Sequence, residues 1–107
     1  MSMVSTKAFA YDAEIDGIYY NFNIYTQTAE VTSQIPDWPY NNDAYSGSVT
    51  IPESVTYEGT IYSVTTIGWK AFDYCRSLTS VTIPNSVTYI SDWAFWLQQP
   101  DIRHHRK

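Results

Sequence analysis

Apolar and polar side chains alternate regularly along residues 18–25. One set is apolar or aromatic throughout: Ile18, Tyr20, Phe22 and Ile24. The intervening set is more polar: Tyr19, Asn21, Asn23 and Tyr25. A period of two is typical of a strand with one buried face, so we predict a strand with the first set inward. Asp16-Gly17 favours a type I′ hairpin turn before it, and a return strand is predicted over Ala29–Thr32. Residues 34–47 contain two Pro and read as a loop.

The second half of the chain contains an internal repeat. Residues 48–56 read SVTIPESVT and residues 80–88 read SVTIPNSVT, while residues 66–72 read TIGWKAF and residues 89–95 read YISDWAF. Eleven of these sixteen aligned positions are identical, and the step from Phe72 to Phe95 is 23 residues. One such unit cannot cover its own apolar face, so repeats of this kind stack on one another.

The first copy carries nine additional residues, 57–65, in which Glu58-Gly59 predicts a second hairpin turn. The alternation of Val81, Thr82 and Ile83 predicts a strand that ends at Pro84, because proline cannot donate to a ladder. We predict that segments Ser48–Ile51 and Ser80–Ile83 lie side by side and parallel. The segments WKAF (69–72) and DWAF (92–95) are interpreted as short helical turns that place Ala and Phe in the core. The predicted core is Val49, Ile51, Ile67, Ala71, Phe72, Leu78, Val81, Ile83, Val87, Ile90, Ala94 and Phe95.

The string AFDYCRSLTSVTIPNSVTYISDWAF (71–95) resembles the BspA-type leucine-rich repeat family, whose units run Ala-Phe, Cys, Leu-Thr and a Val-x-Ile-Pro strand. Residues 45–52 resemble the beginning of such an array. The resemblance implies a right-handed solenoid with a strand-lined concave face, on cell-surface or secreted proteins of anaerobic bacteria and mucosal protozoa. It also implies adhesion or host-protein binding without catalysis.

We therefore expect a mainly β fold with short helical turns, in three parts. Residues 1–47 form a β-rich N-terminal hairpin or meander cap with its loop. Residues 48–95 form a truncated leucine-rich-repeat solenoid of two units, the first with a hairpin insertion at 57–65. Residues 96–107 form a non-repeat tail, because Gln98 stands where Cys75 predicts Cys, and Asp101 where Leu78 predicts Leu.

Charge limits the partners that can be expected. Residues 1–100 hold three basic and ten acidic side chains, a balance of −7, and residues 101–107 hold a balance of +2. An acidic body repels phosphate backbones, so nucleic acid is not expected as a partner. No apolar run is long enough to span a membrane. The first residues lack the apolar stretch of a signal peptide, so a cytoplasmic location and a removed leader both stay open beside the surface location that the resemblance implies.

Candidate chemistry is sparse. Residues 12–17 match the opening of a calcium loop, but position twelve is Asn23 where a Glu is needed, so a solvated hairpin is preferred. His104 and His105 are adjacent and are interpreted as part of a disordered tail. Cys75 has no histidine in the folded body to activate it, and a buried core thiol is preferred. We expect no catalytic residue, metal or cofactor.

The expected function is binding. The first hypothesis is a protein-binding module that uses the strand-lined face, including Thr50 and Thr82. The alternatives are a carbohydrate-binding module that uses exposed aromatic residues such as Trp38 and Tyr40, and an N-terminal piece of a longer repeat protein without a function of its own. An uncovered repeat end also predicts a homodimer, with Trp93, Trp96 and Leu97 in the contact.

Overall fold

The computed structural model of the chain describes residues 11–34, 45–73, 75–95 and 100–104. These residues form nine strands and no helix. The strands are β1 (Ala13–Ile15), β2 (Ile18–Asn23), β3 (Thr28–Thr32), β4 (Gly47–Thr50), β5 (Ser54–Tyr57), β6 (Thr60–Ile67), β7 (Leu78–Ile83), β8 (Tyr89–Ile90) and β9 (Asp101–His104).

The first sheet has the order β1-β2-β3-β6-β5, with β8 also paired to β6. Strands β1, β2 and β3 form the predicted antiparallel meander. The next pairing, of β3 with β6, is parallel. The first half of β6 pairs antiparallel with β5, and its last two residues pair parallel with β8. Strands β3 and β8 therefore both run parallel to β6 in one sheet.

The second sheet has the order β4-β7-β9 and is parallel throughout. The predicted parallel pairing of the two repeat strands is confirmed, with Val49 opposite Val81 and Thr50 opposite Thr82. Strand β9 occupies the place of a third repeat strand, although its sequence does not follow the repeat. The expectation that His104 belongs to a disordered tail is wrong, because its backbone pairs with Ile83 in this ladder. His105 lies outside the described residues.

Both predicted hairpin turns are confirmed. Asp16 and Gly17 have φ angles of 52° and 84° between β1 and β2, and Glu58 and Gly59 have φ angles of 50° and 83° between β5 and β6. Two successive residues with positive φ define a type I′ turn, whose twist matches that of the flanking strands. The segment that resembles the opening of a calcium loop is thus part of a hairpin, and an Asp12 carboxylate oxygen accepts a hydrogen bond from the Phe22 N–H at 3.0 Å.

The interpretation of residues 69–72 and 92–95 as short helical turns is wrong. Lys70 and Trp93 occupy equivalent repeat positions and have φ angles of 58° and 70°, which a right-handed helix does not allow. Each segment is closed instead by one bond of 3.2 Å, from the Ala71 N–H to the Gly68 carbonyl and from the Ala94 N–H to the Ser91 carbonyl. These segments are tight turns that bring the alanine and phenylalanine of each unit towards the core.

The core lies between the two sheets and follows most of the predicted list. The buried predicted residues are Ile51, Ile67, Ala71, Phe72, Leu78, Val81, Ile83 and Ala94. Val49, Val87 and Phe95 are partly buried and pack against this cluster. The prediction for Ile90 is wrong, because its side chain is 37% exposed. Cys75 is fully buried in the core, as expected.

Strand β2 departs from simple alternation at both ends. Tyr19, assigned to the more polar set, is buried because it packs on Tyr11 and Tyr45, with ring centroids 4.8 and 5.6 Å away. The buried Tyr45 hydroxyl accepts from the Tyr19 N–H at 3.1 Å and donates to the Thr32 carbonyl at 2.7 Å. Ile24, assigned to the inward set, lies beyond the strand and is 65% exposed.

Candidate binding surface

The outward face of the second sheet is built by repeat positions in register. Along each strand the inward residue is apolar, as with Val81, and the flanking residues point to the opposite side. Two rows of outward residues cross β4, β7 and β9: Ser48, Ser80 and Asp101 in one row, and Thr50, Thr82 and Arg103 in the other. We call these six residues the hydroxyl face.

Hydrogen bonds order one row of the hydroxyl face. The Ser80 hydroxyl donates to the Ser48 hydroxyl oxygen at 2.9 Å, so the hydroxyl of the buried Ser80 has a hydrogen-bond partner. Thr50 is exposed and Thr82 is half-buried. Threonine hydroxyls both donate and accept, so the face can satisfy polar groups of a partner without carrying charge at its centre.

Strand β9 adds charge to one side of the hydroxyl face. The Arg103 Nε lies 2.9 Å and its Nη2 lies 2.8 Å from the same Asp101 carboxylate oxygen. Both side chains are mostly exposed, so the pair contributes little to stability. It defines a polar rim beside the hydroxyls, an arrangement suited to recognition.

Sequence reasoning missed an exposed aromatic cluster on the repeat turns, which we call the tryptophan pair. Trp69 and Trp93 are 59% and 50% exposed. The Lys70 Nζ lies 4.6 Å from the Trp69 ring centroid and 6.0 Å from that of Trp93. The repeat carried the signal, because Lys70 and Trp93 are equivalent positions of neighbouring units and must lie next to each other once the units stack.

Four of the residues predicted to bind or to self-associate cannot be placed. Trp38, Tyr40, Trp96 and Leu97 lie outside the described residues. Of the residues that can be placed, Thr50 and Thr82 lie opposite each other on the hydroxyl face. Trp93 is not part of that face and lies in the turn after β8.

Burial shifts the pKa of several titratable groups. Desolvation raises the pKa of the Tyr45 phenol far above its usual value, and burial with the nearby Asp16 charge raises that of Tyr20 to about 12. Desolvation also raises the pKa of Glu30, and a hydrogen bond from Asn21 partly opposes this rise.

Within the described ranges, no three His, Cys, Asp or Glu side chains form a group that could hold a metal ion. No helix in that part of the chain has the length and apolar character needed to cross a bilayer.

Comparison with solved structures gives several leucine-rich repeat proteins. A leucine-rich repeat protein from Bacteroides ovatus is 38% identical, with a TM-score of 0.65, over 79% of this chain and 21% of the other. A leucine rich cell surface protein from Faecalibacterium prausnitzii is 32% identical, with a TM-score of 0.58, over 78% of this chain and 20% of the other. A leucine-rich repeat protein from Bacteroides capillosus is 27% identical, with a TM-score of 0.65, over 92% of this chain and 66% of the other. The chain thus spans about a fifth of the length of the first two proteins.

Curated proteins show no match to the chain. The sequence model described as a BspA type leucine rich repeat region (6 copies) matches residues 40–100. This range contains the repeat strands β4 and β7 and both repeat turns. The chain therefore belongs to the BspA-type leucine-rich repeat family.

Proposed function

We propose that the chain is a non-catalytic repeat module that binds a protein partner through the hydroxyl face. The observation that carries the proposal is the register of Thr50 with Thr82, which places equivalent hydroxyls of two units side by side on a polar strand surface. A repeated polar surface with a rigid apolar core behind it can be complementary to an extended partner. The fully buried Val81 holds Thr82 in position from behind.

The wider proposal is that the units stack as a short solenoid with β1, β2 and β3 as its N-terminal cap. The parallel β3-β6-β8 and β4-β7-β9 layers support it. Among the solved relatives, one is described as a cell surface protein. We propose a cell-surface or secreted location for this chain, and adhesion as the role of the module.

The test uses Thr82→Lys, which places a bulky charge in the centre of the hydroxyl face. The matched control is Ser63→Lys, an exposed position on β6 in the other sheet. The probe is a set of purified extracellular-matrix proteins immobilised on biosensor surfaces. We expect Thr82→Lys to weaken any interaction of the parent chain at least tenfold and Ser63→Lys to leave it unchanged. Equal loss in both variants, or in neither, contradicts a role for the hydroxyl face.

The C-terminal end of the stack supports a second, separable proposal of self-association. Ile90, Trp93 and Ile102 are 37%, 50% and 40% exposed there. Covering such surface is favourable at about 25 cal/mol per Å² before association costs are subtracted. We propose a homodimer through this end, with Trp93, Trp96 and Leu97 in the contact. Light scattering should give twice the 12.3 kDa chain mass, and Trp93→Ser should shift the species towards monomer, whereas a monomeric parent contradicts the proposal.

The tryptophan pair favours carbohydrate as an alternative ligand. Because the two Lys70 distances add, the Trp69 and Trp93 ring centroids lie within about 11 Å of each other. Exposed indole faces stack on sugar rings, and the Lys70 amine can donate to hydroxyl or carboxylate groups. Titration with cellohexaose and with polygalacturonate should quench tryptophan fluorescence if this function holds. Trp69→Ala should abolish the quenching, and Tyr25→Ala, at a 91% exposed position, should not.

A further inference from the structure

On the N-terminal side, the first sheet has a parallel strand, β3, that has no counterpart in the described part of the second sheet. Strand β3 lies next to β6 as a layer preceding the first repeat unit. Strands β4 and β6 belong to the same repeat unit. Strand β7 pairs with one edge of β4. In the part of the chain that the structure describes, no strand lies on the other side of β4. Among the described residues, the strand position opposite β3 is therefore unoccupied.

The backbone of β4 presents hydrogen-bonding groups towards this open position. The Gly47 N–H donates to the Ser77 carbonyl at 2.8 Å, and the Ile51 N–H donates to the Thr82 carbonyl at 3.0 Å. Successive residues of a strand direct their N–H and C=O groups to opposite edges, so those of Ser48 and Thr50 point away from β7. Such an edge is a template for pairing with another strand.

A groove runs along this edge of β4, and we call it the β4 groove. One segment, of about 320 Å³, lies between the Asp16-Gly17 turn and residues 46–50. The next segment, of about 440 Å³, continues past Pro52 to β5. Both segments share Asp16, Ile18 and Thr50 in their lining, so the two segments adjoin each other along β4.

Charge gives the β4 groove a chemical character. Asp16, at the tip of the β1–β2 hairpin, is exposed and is the charged side chain among the lining residues of both segments. A carboxylate at this position attracts a lysine or arginine side chain. The rest of the lining is uncharged, so a neutral to basic occupant is favoured over an acidic one.

The geometry points to the β4 groove as a docking site for an extended peptide of neutral to basic character, which adds to the edge of β4 as a further strand. Main-chain hydrogen bonds to Ser48 and Thr50 supply affinity in this mode of recognition, and pockets for alternate side chains supply selectivity. The groove overlaps the hydroxyl face at Ser48 and Thr50 but not at Thr82, which does not line it. Protection of the Ser48 and Thr50 amides by a peptide tests strand addition, whereas Thr82→Lys tests the hydroxyl face, so the failure of one proposal is distinguishable from the failure of the other.

Hydrogen exchange on the free protein tests whether the edge is open. The amides of Ser48 and Thr50 should exchange rapidly, and those of Gly47 and Ile51 slowly, because only the latter donate to backbone carbonyls, those of Ser77 and Thr82. Slow exchange at Ser48 and Thr50 in the dilute free protein would mean that the edge is already paired and would overturn the proposal. Protection that grows with protein concentration would assign the edge to a second copy, which also overturns it.

The binding probe is a short acetylated and amidated peptide of alternating lysine and valine. It should slow exchange at Ser48 and Thr50. The same peptide with alternate N-methylated amides should bind about tenfold more weakly or not at all, because it lacks the ladder donors. Equal binding of the two peptides, no binding of either, or protection centred on Thr82 and Arg103 would each overturn strand addition.

A charge variant completes the test. Asp16→Asn keeps a residue that tolerates positive φ and should weaken binding of the lysine-containing peptide about two- to fivefold, the range of an exposed ion pair. The matched control is Glu58→Gln at the equivalent position of the other hairpin turn, whose φ is 50°, and it should leave binding unchanged. Equal weakening by Asp16→Asn and Glu58→Gln would show that general charge, and not the groove, governs binding.

Discussion

The two repeat units carry the same residues in very different environments. Ile67 and Phe72 of the first unit are fully buried, whereas the equivalent Ile90 of the second unit is 37% exposed and Phe95 is partly buried. The local backbone does not explain the difference, because both turns share the same positive φ position and the same closing hydrogen bond. The environment of each unit must explain it.

Neighbours on both sides account for the burial of the first unit. The Phe72 ring lies between those of Tyr45 and Phe95, with centroid distances of 4.6 and 5.0 Å. Likewise Ile67 lies between Val31 of β3 and Ile90 of β8. Of the two units only the first is enclosed in this way by described residues. The number of neighbours, more than residue type, thus sets how deeply each of these side chains is buried.

The largest expected effect is that of Phe72→Ala. Removing a fully buried ring between two others should lower the free energy of unfolding by about 3–5 kcal/mol. The matched change Phe95→Ala removes a partly buried ring and should cost about 1–2 kcal/mol. Urea unfolding followed by fluorescence measures both. Equal costs would show that the second unit is enclosed as fully as the first.

Tyr45→Phe should have the next largest effect, because it acts on the ring that covers Phe72. The Tyr45 hydroxyl satisfies the Tyr19 N–H and the Thr32 carbonyl in a buried site. Removing it leaves two buried backbone groups unpaired, and we expect a loss of about 1–3 kcal/mol. Tyr25→Phe, at an exposed position, serves as the control in the same unfolding experiment and should be silent.

Ile67→Val and Ile90→Val sharpen the comparison on a smaller scale. Deleting one methylene from the fully buried Ile67 should cost about 0.5–1.5 kcal/mol. The same deletion at the exposed Ile90 should remain within about 0.5 kcal/mol of the parent. Thermal melts of the two variants at one protein concentration decide the matter. A larger effect at Ile90 would indicate that something covers the end of the stack.

The smallest expected effect concerns pH and Glu30, whose side chain lies against Gly68 of the first unit. Burial raises the pKa of Glu30 above its usual value of 4.5, so the folded state binds the proton more tightly than the unfolded state. The contribution of Glu30 to stability is therefore greatest below 4.5 and is lost as pH rises through the raised folded pKa. Glu30→Gln removes this titration. Melting temperatures of parent and variant should diverge in favour of the variant as pH rises, and a constant difference contradicts the assignment.

Local chemistry allowed several elements to be predicted from the sequence. Asp16-Gly17 and Glu58-Gly59 predicted their hairpins because few residue pairs tolerate two successive positive φ angles. The repeated SVTIP predicted parallel neighbours because identical units stack in one direction. The inward assignment of Val81 and Ile83 followed from the strand period alone. The candidate face of Thr50 and Thr82 followed in the same way, as the outward half of that period.

Other features were decided by contacts between distant segments. The parallel pairing of β3 with β6 and the strand at Asp101–His104 carry no repeat signature, since a ladder is made by backbone groups that every residue has. The left-handed conformation of Lys70 and Trp93 is maintained by the turns around them and not by their residue types. The sequence by itself determined which apolar side chains face inward along the strands and where the chain reverses direction. The tertiary structure alone decided which of them are enclosed, because enclosure depends on how many neighbouring strands each residue has, as the equivalent Ile67 and Ile90 show.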